Sequence, residues 1–373
     1  MRGNKLEGKT IYILAAGASV KAGLPVGNGL FDEVINYIRT NLATNTFLKP
    51  EWIDYLEILK RHTNDFERAI SVLELLASQW KSKMIDLHFF SQIFSFKLDG
   101  QNMHKIYKNI YALYWYIVGD WINTRFKVMN VGKIEYLSEF VKGGLTDCLD
   151  IFTLNYDDTI ELAASHYKVK YSTGFEEHYS KATKSNMMFY TGNFLVDSCG
   201  INLYKLHGSI QWSASAFSTD QLYSDVFYEK TPSYSNMQSY AFPIIILGKN
   251  KLRADACYLD LFIRLKEKLK YATEIVIAGY SFQDHHINMI LKEACVKKTG
   301  CTFYVVDPYA PEGRQLLKPQ LIAGAYSQPG SLDYRNIFQH NRNNEVLVAK
   351  YKFEDFLHIC ATGGKLEVTK FSG

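Results

Sequence analysis

Five short clusters in the sequence hold residue types that bind anions or move protons. Ala15-Ala16-Gly17-Ala18-Ser19 directly follows the apolar run Ile11–Leu14. A small-residue turn between a strand and a helix lets backbone N–H groups approach a phosphate, with the helix's positive end behind them. Gly17 permits such an approach and Ser19 offers a hydroxyl, although the same small residues also serve plain strand–helix packing. The match to G-x-G-x-x-G is partial, because Ala15 and Val20 hold two of the glycine places. The second cluster, Thr153-Leu154-Asn155-Tyr156-Asp157-Asp158, follows the apolar stretch Asp150–Leu154. Its polar residues suit either a ligand at a strand end or the cap and first turn of the next helix. In Leu206-His207-Gly208-Ser209 an imidazole stands beside a glycine. That is a general base with room for substrate, or a structural histidine. Ala278-Gly279-Tyr280-Ser281-Phe282-Gln283-Asp284 ends in a residue placed to cap the helix from His285. Asp307, in Val306-Asp307-Pro308, suits a ribose hydroxyl or a turn.

These clusters need strands to position them, and the sequence supplies candidates. Ile11–Leu14, Asp150–Leu154, Tyr204–Leu206, Pro243–Leu247, Glu274–Ala278 and Thr302–Val306 are short apolar runs of the kind buried in parallel sheets. Helical spacing over residues 255–270 and 285–298 separates the later ones, giving the strand–helix alternation of a doubly wound sheet. A helical pattern also runs from Asn28 to about Arg39. Between about Pro50 and Lys142, apolar residues recur at three- and four-residue spacing, as in Trp52, Tyr55, Leu56 and Leu59, and point to several consecutive helices. Tyr171–Gly200 is polar and irregular, and Ala214–Gln238 reads as a long loop. Residues 343–360 read as a strand and a short helix. The expected architecture is an α/β, Rossmann-like, doubly wound parallel sheet with a large α-helical insertion. Its parts are residues 1–45 and 146–330 for the Rossmann domain, 46–145 for the insertion and 331–373 for a C-terminal extension.

Composition narrows the function classes. Hydrophobic residues make up 47% and charged residues 21%, enough for a sizeable core. A net charge of +4 without a Lys/Arg block falls well short of a nucleic-acid footprint, so sequence-specific nucleic-acid binding is not expected. No run of 18 apolar residues is present, so no membrane span is expected. The N-terminus lacks a signal-peptide pattern, and the six scattered cysteines form no C-x-x-C pair; both fit a cytoplasmic protein of reduced thiols. The Tyr count of 26 fits core rings or large interfaces.

Taken in order, the clusters resemble the sirtuin family. Its members open with a GAG-x-S loop and a G-[IV]-P turn, similar to Ala15–Ser19 and Gly23-Leu24-Pro25. They have a Q-N-[IV]-D strand end, similar to Leu154-Asn155-Tyr156-Asp157, an H-G pair similar to His207-Gly208, and a G-T-S segment similar to Gly279-Tyr280-Ser281. The N-Y-D and G-Y-S-F-x-D forms look most like the bacterial sirtuin-like branch found in anti-phage defence proteins. The departures are specific. The paired C-x-x-C zinc module is absent, so no structural zinc is expected. The Asp-Phe-Arg of deacetylating sirtuins is replaced by Val26-Gly27-Asn28, and the first loop glycine is Ala15.

The resemblance implies NAD as a substrate, cleaved between nicotinamide and ribose. It implies that Ala16, Gly17, Ala18 and Ser19, with Gly23 and Pro25, hold the dinucleotide, and that Gly279, Ser281 and Asp307 contact ribose and phosphates. Asn155 would orient the ribose or the attacking water, His207 would be the general base, and Asp157 would orient the substrate. Rival readings are a deacylase or ADP-ribosyltransferase, and a non-catalytic NAD or ADP-ribose sensor acting through assembly. Because free NAD hydrolysis would kill the host cell, a homo-oligomer or a partner is expected as the switch, and the resemblance suggests a HerA-like ATPase.

Overall fold

The structure is a computed structural model that describes residues 9–27, 29–63, 65–82, 100–180, 185–195, 199–215, 226–228, 241–245, 257–310, 338 and 344–371. Its main sheet contains β1 (Lys9–Leu14), β2 (Cys148–Thr153), β3 (Tyr171–Ser172), β6 (Gly200–Lys205), β10 (Ala272–Ala278), β11 (Thr302–Val306), β12 (Glu345–Ala349) and β13 (Thr369–Phe371). The order is β13-β12-β11-β10-β1-β2-β6-β3. Every neighbouring pair is parallel except β12 with β13. The apolar strands alternate between two buried faces, as a sheet covered on both sides requires. Ile11, Ile13, Phe152, Ile275, Ile277, Phe303 and Val305 face one core, while Leu14, Ile151, Val276, Ala278 and Val306 face the other. Helices α6 (Cys257–Tyr271) and α7 (His285–Lys297) cover the first face. The second is covered by α5 (Thr159–His166), α8 (Phe353–Ala361) and the short helical turns of residues 131–145.

The expected strand–helix alternation holds, with one correction. Pro243–Leu247 was expected among the parallel strands. Instead β9 (Ala241–Ile245) is an edge of a second, antiparallel sheet in the order β4-β5-β8-β7-β9. Its other members are β4 (Phe175–Ser180), β5 (Ser185–Tyr190), β7 (Gly208–Ser215) and β8 (Val226–Tyr228). Pro243 has no N–H to give a central strand, so an edge position suits it. Residues 246 and 247 lie outside the described residues. This second sheet also takes parts of the segments expected to be irregular: β4 and β5 fall within residues 171–200, and β8 within the expected long loop. Most of the remainder of that loop, 216–225 and 229–238, lies outside the described residues, as does Asn28.

The helical pattern is realised by α1 (Leu30–Asn41), α2 (Glu51–His62), α3 (Phe66–Ser82) and α4 (Gly100–Tyr116). A π-helical turn, Ile117–Trp121, continues α4 into Ile122–Arg125. In α1, Leu30, Phe31, Val34, Ile35 and Ile38 share one face, and Asp32 and Glu33 sit in the first turn where the helix dipole favours them. That face packs against α2, α3 and α4, not against the sheet. The helical core therefore begins at residue 30, while Val128, Ile134, Leu137 and Val141 pack on the sheet. β12 and α8 are likewise built into the main sheet and its second core.

Candidate functional site

The five clusters all follow C-terminal ends of parallel strands: β1, β2, β6, β10 and β11. Backbone bonds extend the ladder into them, from Ala15 N to Ala278 O (3.0 Å), Leu154 N to Leu14 O (2.9 Å), Leu206 N to Thr153 O (2.9 Å) and Gly279 N to Val306 O (3.1 Å). The chain runs outward from β1 to β2 and β6, then returns to β10 on the other side of β1. The crevice above β1 and β10 is thus the point where strand order reverses, the place where open α/β sheets bind ligands.

At that crevice the two turns touch. Gly17 N donates to Gly279 O at 3.1 Å, and Ala18 N to Ala15 O at 2.8 Å. A Cβ on Gly17 would lie 2.6 Å from Gly279 Cα, and one on Gly279 would lie 2.4 Å from Ala18 N. Gly279 also has φ +64°. Both glycines are therefore demanded by backbone-to-backbone approach, and the Gly17 and Ala18 amides are engaged within the protein. Gly279→Ala is expected to destabilise the fold by about 1–3 kcal/mol, from the left-handed backbone together with a contact no flexible side chain can relieve. Chemical denaturation checks this; an unchanged midpoint would contradict it.

Asn155 ties the loop after β2 to the loop after β1. Its Nδ2 donates to Ala15 O at 3.1 Å and to Ser19 Oγ at 3.0 Å, and Ser19 Oγ lies 3.3 Å from Thr159 Oγ1. With both Nδ2 hydrogens engaged, the amide's remaining capacity is its oxygen, as an acceptor. Asp157, just before the cap, braces the start of α5: its Oδ1 accepts from Thr159 N at 3.0 Å and from Thr159 Oγ1. Asn155, Asp157, Ala18, Ser19, Tyr136 and Glu161 are among the residues lining a cleft of about 280 Å³, its open mouth included. Most of that space is open solvent, and the enclosed part has room for about one water molecule. Beneath it, fully buried Lys205 donates to Glu161 Oε1 at 2.7 Å and to Asp157 O.

Burial pushes the Asp157 carboxyl up to about 6, against the opposing pull of Lys205 and the Thr159 N–H; burial likewise raises Glu161. A carboxyl that binds its proton more tightly in the folded chain stabilises the fold fully below its ordinary value, near 4. That contribution is lost as pH rises through about 6. The stability advantage of the wild type over Asp157→Asn is therefore expected to fall by about 3 kcal/mol between pH 4 and pH 7. Urea unfolding across that range tests it, and parallel profiles for the two proteins would contradict it.

His207 occupies the two-residue turn between β6 and β7 and is 1% exposed. Its ring centroid is 6.5 Å from that of Tyr156. Its Nε2 lies 2.9 Å from Asp284 Oδ2, both side chains being almost fully buried. The contact is close but off the hydrogen-bond line. The other carboxylate oxygen of Asp284 caps α7, accepting from His286 N (2.9 Å) and Ile287 N (3.3 Å). The cap expected from the sequence is present; the contact with His207 was not foreseen, because it joins residues far apart in the chain. His207 does not line the cleft of Asn155; Tyr156 and Asp284 are among its neighbours.

The remaining candidates are spread along the same edge. Ala16 is exposed and Ala18 buried; Gly23, at φ +82°, caps the 3₁₀ turn Ala16–Ala22, and Pro25 follows it. Ser281 is exposed. Asp307 Oδ1 accepts from Tyr309 N at 2.9 Å, the turn geometry weighed for it, at an end four strand spacings (roughly 19 Å) from β6.

Comparison with known proteins bears on this edge directly. Residues 150–326 match the family model described as a SIR2-like domain. The matched segment is a little under half of the chain and contains Asn155, Asp157, His207, Gly279, Ser281, Asp284 and Asp307; the Ala15–Ser19 loop lies outside it. No curated protein matches the sequence. Among solved structures, a Sir2 homologue in complex with NAD is 13% identical, covering 96% of this chain and 90% of its own, with a TM-score of 0.41. An ADP-ribose complex of a Sir2 homologue variant is 14% identical, covering 96% and 92%, with a TM-score of 0.43. A Sir2 protein bound to a propionylated peptide is 11% identical, covering 96% and 94%, with a TM-score of 0.41. Around the SIR2-like segment, the helical core meets the site at two points. Tyr156 and Ile210 both sit in it, and Tyr156 Oη donates to Glu67 Oε1 at 3.3 Å. Among the described residues no group of three or more His, Cys, Asp or Glu side chains could hold a metal ion. No described helix is long and apolar enough to cross a membrane.

Proposed function

We propose that this chain is an NAD glycohydrolase, cleaving NAD to nicotinamide and ADP-ribose. The observation that supports it most is the bond from Asn155 Nδ2 to Ser19 Oγ, which joins two of the sirtuin-resembling loops, those after β2 and β1, beside the strand-order reversal. Had Asn155 served only as a helix cap, its amide would bond the first turn of α5; Asp157 does that instead.

The chemistry asks little of acid groups. The pyridinium of NAD takes the electron pair of the breaking C1′–N bond and departs as a neutral ring, so no proton donor is needed at the leaving group, unlike in glycosidases with two carboxylates. Water forms the new bond to the oxocarbenium-like C1′ and gives up one proton. His207 is assigned to receive it, and the Asn155 oxygen to accept from the same water or from a ribose hydroxyl. Binding would exchange some contacts of Asn155 with Ala15 and Ser19 for contacts with substrate. The Ala16–Ser19 turn, with Gly23 and Pro25, would face the pyrophosphate, and Asp157 would hold the α5 end in place. Gly279, Ser281 and Asp307 would lie along the rest of the dinucleotide.

The biological role proposed is that of a cytoplasmic anti-phage defence effector which depletes NAD when activated, with activity gated by homo-oligomerisation or by a partner such as a HerA-like ATPase. The helical core that grips Tyr156 and Ile210 gives such a partner a route to the site. Product balance tests the reaction: purified protein, with and without an acetylated peptide, is incubated with NAD. Equimolar nicotinamide and ADP-ribose, independent of peptide, is the expected result. Acetyl-ADP-ribose formed only with peptide would replace the proposal by deacylation, and bound but intact NAD would replace it by a sensor role.

A further inference from the structure

We propose that Asp284 is the positioning residue for His207, fixing which imidazole nitrogen serves as the base; this rests on the NAD-cleaving reading above. The geometry divides the carboxylate between two tasks. Oδ1 is committed to the α7 amides of His286 and Ile287, so the carboxyl plane cannot swing freely. Oδ2 is thereby held 2.9 Å from His207 Nε2. The turn that presents it is itself locked. Tyr280 Oη donates to Asp284 O at 3.0 Å and lies 2.8 Å from Asn288 Oδ1, and Asn288 Nδ2 donates to Phe282 O at 2.6 Å. Phe282 holds φ +56° within this turn, a conformation that persists where surrounding contacts enforce it.

An ionised carboxylate only accepts, so the proton on a neutral His207 belongs on Nε2 and the basic lone pair on Nδ1. The proton taken from water then goes to Nδ1, while Asp284 remains ionised and stabilises the imidazolium without itself being protonated. The sequence offers Asp284 only as a helix cap; the fold places it between a cap and a base.

Asp284→Asn separates the two tasks. Asparagine caps a helix as well as aspartate does, through its oxygen. Its amide nitrogen then faces Nε2 as a donor and favours the opposite tautomer. The expected result is a fall in kcat of about 10²–10⁴, with ADP-ribose affinity within about threefold and the thermal midpoint unchanged. In 15N-histidine NMR, the His207 proton should move from Nε2 to Nδ1. Asp284→Ser, which caps through a hydroxyl too short to reach the ring, should also lose kcat at unchanged midpoint. A kcat within threefold of wild type for folded Asp284→Asn, or an unchanged His207 tautomer, overturns the proposal. Should wild-type protein leave NAD intact, the tautomer alone decides the pairing: a switch upholds the Asp284–His207 assignment while the NAD reading fails.

Discussion

His207→Ala is expected to lower the rate of NAD cleavage by about 10²–10⁴, the usual worth of a general base. The protein should remain folded, because its stability rests on three large apolar clusters and the α7 cap does not depend on the imidazole. His207→Gln, which fills more of the buried space, should lose activity to a similar degree; equal loss in both separates missing base chemistry from a cavity effect. Asn155→Ala should match them for a different reason, since it unties Ser19 and the Ala15 carbonyl and removes the acceptor for water. Near-normal NAD loss in the folded His207 and Asn155 variants would remove both assignments.

The largest expected effect on stability is at Lys205. Its ammonium is fully buried, bonded to Glu161 Oε1 and the Asp157 carbonyl. Lys205→Met deletes the cation that balances Glu161 and leaves a buried acid without its ion-pair partner. Breaking such a pair costs about 3–5 kcal/mol, whereas replacing both members by apolar residues is often neutral. Denaturant unfolding should therefore show a loss of that size for Lys205→Met and substantial recovery in Lys205→Met/Glu161→Leu. A single variant within about 1 kcal/mol of wild type would mean the acid is held neutral by burial alone. By contrast Asp150, equally buried, answers to two lysines. Burial works to raise it, and hydrogen bonds from Lys9 and Lys268 overcome this and hold it below the usual carboxylate range.

How far the sequence alone reaches follows from the range of each signal. Ile11–Leu14, Glu274–Ala278 and Thr302–Val306 are unbroken apolar runs, and all three are central parallel strands, because burial on both faces leaves no polar alternation to confuse. Pro243–Leu247 has the same texture, but its described part, Pro243–Ile245, lies in the antiparallel sheet, and its proline marks it as an edge. The division between Asn155 and Asp157, two polar residues at one strand end, was not legible: either could have capped α5, and the choice is made by Ser19, 136 residues away in the chain. Asp284 was legible as a cap for α7 because that bond is local. Its contact with His207 depends on the fold bringing the β10 and β6 loops together. The glycine pair was half legible: Gly17 signalled a close approach, but the structure shows its neighbour to be Gly279.

The central claim is that this strand edge breaks the nicotinamide–ribose bond using His207 and Asn155. The most direct measurement is nicotinamide release from NAD labelled in the nicotinamide ring, for wild type, His207→Ala and Asn155→Ala side by side, with NAD binding measured on the same preparations. Release by wild type, with loss of at least a hundredfold in both variants at retained binding, is the predicted result. Equal release by all three proteins, or binding without release by wild type when assembled with its activating partner, would contradict it.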